Sequence, residues 1–202
     1  MRKIQYLIII SIILLLNCCG NPIEPSKIER ILPLNKGNIW IYQKYFINNK
    51  DSLLDYGIDT IKVLSDTIID DFRFSYIKYF SRIFSIGYIN DSLFSYVDPN
   101  YKLKHYLIYT YPCNVGDLYL SDFGLCNVEN IDTTITVLAG KFKCIKYKFH
   151  ATNERGVGFE DYHYCSPGVG IIKIEHFENS FSQNEVFIKI SEKELISYKI
   201  RE

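Results

Sequence analysis

Histidines and cysteines are the side chains of this chain with the most capacity for chemistry. The four histidines are His105, His150, His163 and His176, no two of which share the spacing of a metal-ligand pair, and no Cys-x-x-Cys motif occurs. His163 could join Cys144 and His150 in a zinc site only if the fold happened to bring them together. We therefore predict no metal site and interpret the histidines as half-exposed strand residues.

Two pairs of adjacent acids could be read as catalytic carboxylates: Asp70-Asp71 and Glu160-Asp161. Neighbouring residues of a strand point to opposite faces, so neither pair should converge on one substrate. The Gly-Val-Gly triplets at 156–158 and 168–170 lack the helix and the lysine of a phosphate-binding loop. No Gly-x-Ser-x-Gly elbow is present. The sequence thus predicts no catalytic residues, no cofactor and no enzyme.

The N-terminus carries a different chemistry, that of export and acylation. Arg2 and Lys3 precede thirteen mostly apolar positions, 4–16, which end at Cys18 and Cys19. Such a run would make a helix of about 20 Å, too short for a bilayer core of about 30 Å. A basic start and a short apolar core are typical of a signal peptide, predicted here at residues 1–17.

The end of this segment resembles a lipobox, the motif at which a bacterial lipoprotein is cut and acylated. The resemblance implies that the modified residue is Cys18, with Cys19 as the alternative, and that it carries diacylglycerol and fatty acids such as palmitate. An ordinary signal peptide or an uncleaved anchor is the competing interpretation. Two or more acyl chains would hold the protein on a membrane durably. Neither Cys19 nor Gly20 is the Asp of the inner-membrane sorting rule, so we expect the outer membrane.

Export would expose the other four cysteines to an oxidising compartment. We predict the disulfides Cys113–Cys126 and Cys144–Cys165. The first would close a short loop and stabilise the folded state by roughly 3 kcal/mol in the chain-entropy model. Four buried thiols are the alternative.

Charge excludes nucleic acid as a partner. The precursor has 23 basic and 23 acidic residues, and removal of Arg2 and Lys3 leaves 21 − 23 = −2, with both signs interspersed. The 17 Tyr and 13 Phe are less telling, because a chain rich in Ile, Asn and Lys reflects an AT-rich genome. The expected partners are the membrane, an envelope protein or an apolar ligand.

Periodicity predicts one antiparallel all-β domain over residues 33–202, behind a Pro-punctuated tether at 18–32. About a dozen short strands are separated by Gly, Asn, Asp and Pro, with little helix, as in a curved sheet, half-barrel or sandwich. The predicted strands are 39–46, 59–64, two within 72–88, 93–97, 105–111, 133–138, 142–150, 159–165, 170–177, 186–190 and 195–200. Ser191 and Glu194 should form a turn between the last two.

The hairpin of 142–150 and 159–165 sets the expected position of two cysteines. Ile145, Tyr147 and Phe149 share one face of the first strand, and Cys144 lies on the other. If Tyr162 and Tyr164 of the second strand match that aromatic face, Cys144 and Cys165 lie together on the polar side.

Three short islands resemble a broad group of uncharacterised bacterial lipoproteins and secreted β-proteins. They are Pro33-Leu34-x-x-Gly37-Asn38-x-Trp40-x-Tyr42, Ala139-Gly140-x-Phe142-x-Cys144 and Pro167-Gly168-Val169-Gly170-x-x-Lys173. Each also has a structural interpretation as a turn that feeds a strand. The group is distantly similar to the curved antiparallel sheets of periplasmic lipoprotein carriers, an analogy at the level of fold.

The sequence therefore favours a lipid-anchored envelope lipoprotein. Its domain is expected to be a non-enzymatic binding or envelope-support module. The alternative is a half-barrel that carries or senses a lipid or another apolar ligand, and a hydrolase is the third hypothesis.

Overall fold

The structure, a computed structural model, describes residues 29–47, 52–79, 82–96, 105–152, 157–179 and 186–201. Within these ranges the chain forms twelve strands and no helix. In chain order they are β1 Ile39–Ile47, β2 Leu53–Ile69, β3 Phe72–Tyr79, β4 Arg82–Ile89, β5 Ser92–Tyr96, β6 His105–Tyr109, β7 Leu118–Ser121, β8 Gly124–Val137, β9 Gly140–Thr152, β10 Gly158–Ser166, β11 Gly170–Asn179 and β12 Phe187–Lys199.

All twelve strands belong to one antiparallel sheet with the order β6-β5-β4-β3-β2-β1-β12-β11-β10-β9-β8-β7. The two outermost strands come back beside each other, so the sheet is a nearly closed, barrel-like cylinder. At this seam the Asp122 amide donates to Leu107 O at 2.8 Å and the Ser121 hydroxyl to Ile108 O at 3.2 Å. The predicted all-β antiparallel fold is confirmed.

The sheet curls around its own core because alternate residues of the strands are apolar. Trp40 and Tyr42 of β1, Val63 of β2 and Leu195 of β12 are essentially inaccessible to solvent. The Trp40 indole donates to Val169 O at 2.6 Å, and the Tyr42 hydroxyl to Ile171 O at 3.0 Å. These bonds fix the 166–170 turn against β1 and satisfy the polar atoms of two buried aromatic rings.

One end of the cylinder is plugged by the segment before β1. Ile31 and Leu32 are buried, and the Tyr88 hydroxyl donates to Leu32 O while it accepts from Leu32 N–H. The sequence predicts a tether through residue 32, but Ile31 and Leu32 are packed into the domain and exposed Arg30 accepts a hydrogen bond from Gly168 N–H through its carbonyl. Two apolar side chains at 31–32 pull this stretch inward despite its flanking prolines.

The strand predictions hold at most positions. Residues 72–88 do form two strands, and the three turns at 35–38, 138–139 and 167–169 precede or join strands as expected. Two predictions are wrong. Strand β7 was missed, and 187–199 is one strand with no turn at Ser191, because pairing with β1 and β11 on both sides overrides the local capping pattern.

Neither predicted disulfide is present: Cys113, Cys126, Cys144 and Cys165 are free thiols. The β9–β10 hairpin exists, but its register puts Tyr164 opposite Lys146 and Cys165 opposite Ile145. Alternation along β9 sends Cys144 to the other face from Ile145, so Cys144 and Cys165 do not share a side of the sheet. The assumption that aromatic faces match was wrong, because Tyr162 stacks under Lys146, whose Nζ lies 4.4 Å from the ring centre.

Burial also changes the thiol chemistry. It raises the pKa of Cys126 and of Cys144 to about 12, and it raises the pKa of Cys113, which is less buried. Thiols held in the protonated form are poor nucleophiles, so these cysteines behave as small apolar core residues.

Other predictions concern segments outside the described residues. These are the signal peptide, the acylated Cys18 or Cys19, most of the tether, and the turns at 48–51, 98–100 and 153–156.

Candidate functional site

An apolar cavity of about 480 Å³ occupies the interior of the sheet on the far side of the plug. Strands β1 to β6 and β10 to β12 contribute residues to its wall, most of them at positions that alternate inward along each strand. The apolar members are Leu32, Ile61, Ile77, Phe84, Ile86, Leu93, Ile108, Phe123, Ile171 and Ile174. Its volume falls within the range of small-molecule sites, about 300–1,000 Å³.

The floor of the cavity holds a buried histidine. His163 Nδ1 lies 2.6 Å from the Tyr109 hydroxyl, and the ring packs against Phe149 with centres 4.7 Å apart. Burial lowers the pKa of His163 to about 4, so the ring is neutral at physiological pH. The sequence predicts a half-exposed residue here, whereas the register opposite Tyr147 puts the ring inside.

A buried ion pair lies at the side of the cavity toward its mouth. Lys193 Nζ lies 2.6 Å from Asp59 Oδ2, and the Tyr79 hydroxyl donates to the same oxygen at 3.1 Å. Lys193 also donates to the Tyr79 hydroxyl. Asp59 is 2% exposed, so its charge is stable there only because these two donors satisfy it.

Lys44 supplies a second positive charge to the cavity wall. It lies directly across from Lys193 in the β1–β12 register. Its Nζ lies 4.9 Å from the ring centre of Tyr56 and 5.1 Å from that of Phe46. In the described part of the chain no carboxylate is within ion-pair distance of it. The ammonium group is therefore held by aromatic faces and is available to an anion in the cavity.

Three residues on neighbouring strands form a row at the mouth: Asp161, His176 and Ser191, on β10, β11 and β12. Asp161 Oδ1 lies 2.5 Å from His176 Nδ1, which suggests a catalytic triad. The other ring nitrogen, however, faces Glu178 Oε1 at 3.2 Å rather than the serine. The hydrogen bond to Asp161 raises the pKa of His176, so the pair stabilises an imidazolium and not a base for Ser191.

The outer surface behind this row carries a network of two lysines and three glutamates. Lys173 Nζ lies 2.8 Å from Glu194 and 3.1 Å from Glu192, and Lys189 Nζ lies 2.7 Å from Glu175. Burial alone would raise the pKa of Glu192, but hydrogen bonds from Lys189 and Lys173 outweigh it and lower that pKa. The network ties β11 to β12 and has a structural role.

The other sequence candidates are dispersed by the fold. Asp70 and Asp71 lie in the β2–β3 turn, and Glu160 faces outward to Lys148 while Asp161 faces the cavity, as strand alternation predicted. His150 is exposed beside Glu160, away from buried His163. Among the described residues, no three of His, Cys, Asp and Glu are grouped so that they could hold a metal ion.

Sequence reasoning missed Lys44, Asp59, Lys193 and His176 as members of one site. Each is an ordinary polar residue on an alternating strand. The only available signal is that each falls on the apolar side of its own strand's alternation. These residues meet only when β1, β2, β11 and β12 are aligned.

No segment of the described chain forms a helix with the length and apolarity needed to cross a membrane.

Comparison with known proteins gives structural likeness only. No protein-family model matches the chain, and no curated protein matches its sequence. The fold is similar to that of a "putative lipoprotein" from Parabacteroides distasonis, with a TM-score of 0.55 and 14% identity over 86% of this chain and 100% of that one. It is also similar to a "putative exported protein with YmcC-like fold" from Bacteroides fragilis, with a TM-score of 0.56 and 14% identity over 84% of this chain and 98% of that one. At this identity the likeness shows a shared all-β fold.

Proposed function

We propose that this protein is a lipid-anchored envelope lipoprotein whose β domain binds one amphipathic ligand, with an apolar tail in the cavity and an anionic head beside Lys44. The observation that carries the proposal is the cavity itself. A domain with only a supporting role has no need to leave about 480 Å³ of its interior open and apolar.

The tail is inferred from the cavity wall. Leucine, isoleucine and phenylalanine side chains dominate it. An apolar chain that displaces water from these side chains is stabilised by the burial of apolar surface. The plug of Ile31 and Leu32 closes one end, so a linear tail would enter from the opposite mouth.

The head is inferred from the charges. The Lys193 charge is matched by Asp59, the Asp161 carboxylate contacts His176, and the Ser95 hydroxyl donates to Asp122. Among the described residues Lys44 has aromatic neighbours and no carboxylate partner, so a carboxylate or phosphate head would supply a counter-charge.

A ligand-binding assay with a cavity-filling variant tests the proposal. Ile61→Trp inserts an indole into the cavity, whereas Ile68→Trp places one on the 76% exposed outer end of the same strand. A fluorescent fatty acid should bind the unmodified protein, and Ile61→Trp should weaken it at least about tenfold while Ile68→Trp leaves it nearly unchanged. Equal binding by both variants, or no binding by the unmodified protein, contradicts the proposal.

The anchor is a separate part of the proposal, supported by the signal sequence and the lipobox resemblance. Palmitate labelling in cells should be lost in Cys18→Ser and kept in Cys19→Ser. Loss in Cys19→Ser alone would assign acylation to the alternative cysteine. Labelling that persists without both cysteines would rule out the anchor. Fractionation of labelled envelopes should recover the protein with the outer membrane.

Binding without catalysis remains our expectation for this site. The raised pKa of His176 and its contact with Glu178 support it. Hydrolysis of ester substrates that disappears in Ser191→Ala would contradict it and favour a hydrolase.

A further inference from the structure

A second pocket, of about 620 Å³, lies at the plugged end of the cylinder and is independent of the apolar cavity. We call it the basic pocket. Three arginines line it, Arg30, Arg73 and Arg201, together with Glu29 and apolar parts of Leu34, Tyr88 and Ile200. From these groups we propose that the basic pocket binds the phosphate head of an anionic membrane lipid, so that this end of the domain docks on the bilayer.

The first argument is the balance of charge. Asp66 pairs with Arg73, and Lys36 acts on the same carboxylate. Among the described residues, four positive groups (Arg30, Arg73, Arg201 and Lys36) and two negative ones (Glu29 and Asp66) lie in or beside the pocket, a net charge of 4 − 2 = +2. In the part of the chain that the structure describes, neither Arg30 nor Arg201 has a carboxylate within ion-pair distance.

The second argument is that these two arginines are held in place. The Arg30 guanidinium carbon lies 4.4 Å from the centre of the Tyr88 ring, and Tyr88 is itself fixed by its bonds to Leu32. The Arg201 amide donates to Asn38 Oδ1 at 2.8 Å. Its guanidinium lies flat over Gly37, where an added Cβ would come within 3.1 Å of it. Planar guanidinium groups positioned in advance suit the paired hydrogen bonds of a phosphate.

The third argument is where the chain enters. Glu29 is the first described residue and lies on the pocket wall. It is eleven positions after Cys18 (29 − 18 = 11), so the two can be at most about 40 Å apart. An anchor at Cys18 or Cys19, the part of the proposed function on which this step rests, would hold the basic pocket near the headgroups and turn the cavity mouth away from them.

Vesicle flotation tests the proposal without the anchor. The protein used is residues 18–202 with Cys18→Ser and Cys19→Ser, and it is mixed with vesicles of phosphatidylcholine with or without phosphatidylglycerol. It should float with the anionic vesicles only, and Arg30→Ala and Arg201→Ala should each weaken this about fivefold. Arg82→Ala, at an exposed position beyond the cavity mouth, is the matched control and should have little effect.

A variant with stronger binding is also needed, because a misfolded variant could lose binding but would not gain it. Glu29→Gln removes a negative charge from the pocket wall and should strengthen flotation about fivefold. Flotation that is insensitive to Arg30, Arg201 and Glu29, or absent altogether, overturns the proposal. Inorganic phosphate is the competitor. If it binds the protein and abolishes flotation at a concentration equal to that of the lipid phosphate, the proposal is overturned in favour of a soluble ligand. Fatty-acid binding and palmitate labelling do not depend on these arginines, so the proposed function can stand or fall separately.

Discussion

Among the described residues, the charged groups at the two pockets divide into those with a partner of opposite charge and those without one. Asp59 with Lys193, and Asp161 with His176, form pairs at 2.6 Å and 2.5 Å. Lys44 among the cavity residues, and Arg30 and Arg201 at the plugged end, are held by rings or backbone instead. Charges that are held but not neutralised are the residues at which an anionic ligand gains most.

His163 makes stability depend on pH. Its folded pKa, about 4, lies below the unfolded value of 6.5, so the unfolded chain binds more protons between these values and stability falls as pH falls. The loss across this window should reach roughly 3 kcal/mol. Urea denaturation at several pH values measures it, and His163→Phe should flatten the profile while exposed His150→Phe does not.

His176 acts in the opposite sense and in another window. Its pKa is raised above 6.5 by Asp161, so its contribution is complete below pH 6.5 and is lost as pH rises through the raised value. If the stability of the His163→Phe variant still declines below pH 6.5, the buried ring is not the source of the pH dependence.

Lys44 separates recognition of the head from recognition of the tail. Lys44→Met keeps the length of the side chain and removes the charge, so affinity for a fatty acid should fall about tenfold while affinity for the matching fatty alcohol stays the same. Lys62→Met, at an exposed position on the neighbouring strand, should change neither. Titration with both ligands measures the effect, and an equal loss for acid and alcohol would remove Lys44 from the head site.

At the level of elements, the start of β11 is packed tightly against the plug. Gly170 opens β11 with a φ of +113°, and a Cβ there would lie 2.6 Å from Leu32 Cδ1 and 3.3 Å from Trp40 Nε1. Gly170 is therefore the residue at which a positive φ and close packing against the plug coincide.

A pair of glycine substitutions separates these two effects. Gly57 on β2 has a similar φ of +107°, but nothing lies within 4 Å of an added Cβ. Gly57→Ala should cost about 1 kcal/mol from backbone strain alone. Gly170→Ala should cost about 1–3 kcal/mol more because it also displaces the plug. If Gly57→Ala and Gly170→Ala lower the free energy of unfolding in urea equally, the plug moves aside without an energetic cost.

The whole molecule is a cylinder with one plugged end, one open mouth and one seam. Every neighbouring pair of strands is joined by a ladder except β6 and β7, which in the described residues meet through bonds such as Asp122 N–H to Leu107 O and Ser121 to Ile108 O. Strand edges with few partners open at lower free energy than the centre of a sheet.

Hydrogen exchange should therefore be fastest, among the strands, at the seam. Amides of β6 and β7 are expected to exchange well before those of β1 and β12, which are paired on both sides. Peptide-level mass spectrometry measures this. Equal protection of the amides in all strands would mean that β6 and β7 are held together more strongly than the few contacts at the seam can account for.

Local pattern was enough for most of the strands and for the turns among the described residues, because each depends on residues close together in the chain. Alternation in 142–150 and the turn at 138–139 are examples, as is the single antiparallel domain. Register was not accessible in this way, since a slip of one residue reverses every side chain of a strand. That is why Cys165 was expected beside Cys144 and instead faces Ile145, and why His163 was expected near solvent. The cavity and the basic pocket likewise arise only when strands far apart in the chain close into a cylinder, because the enclosed volume belongs to no single segment.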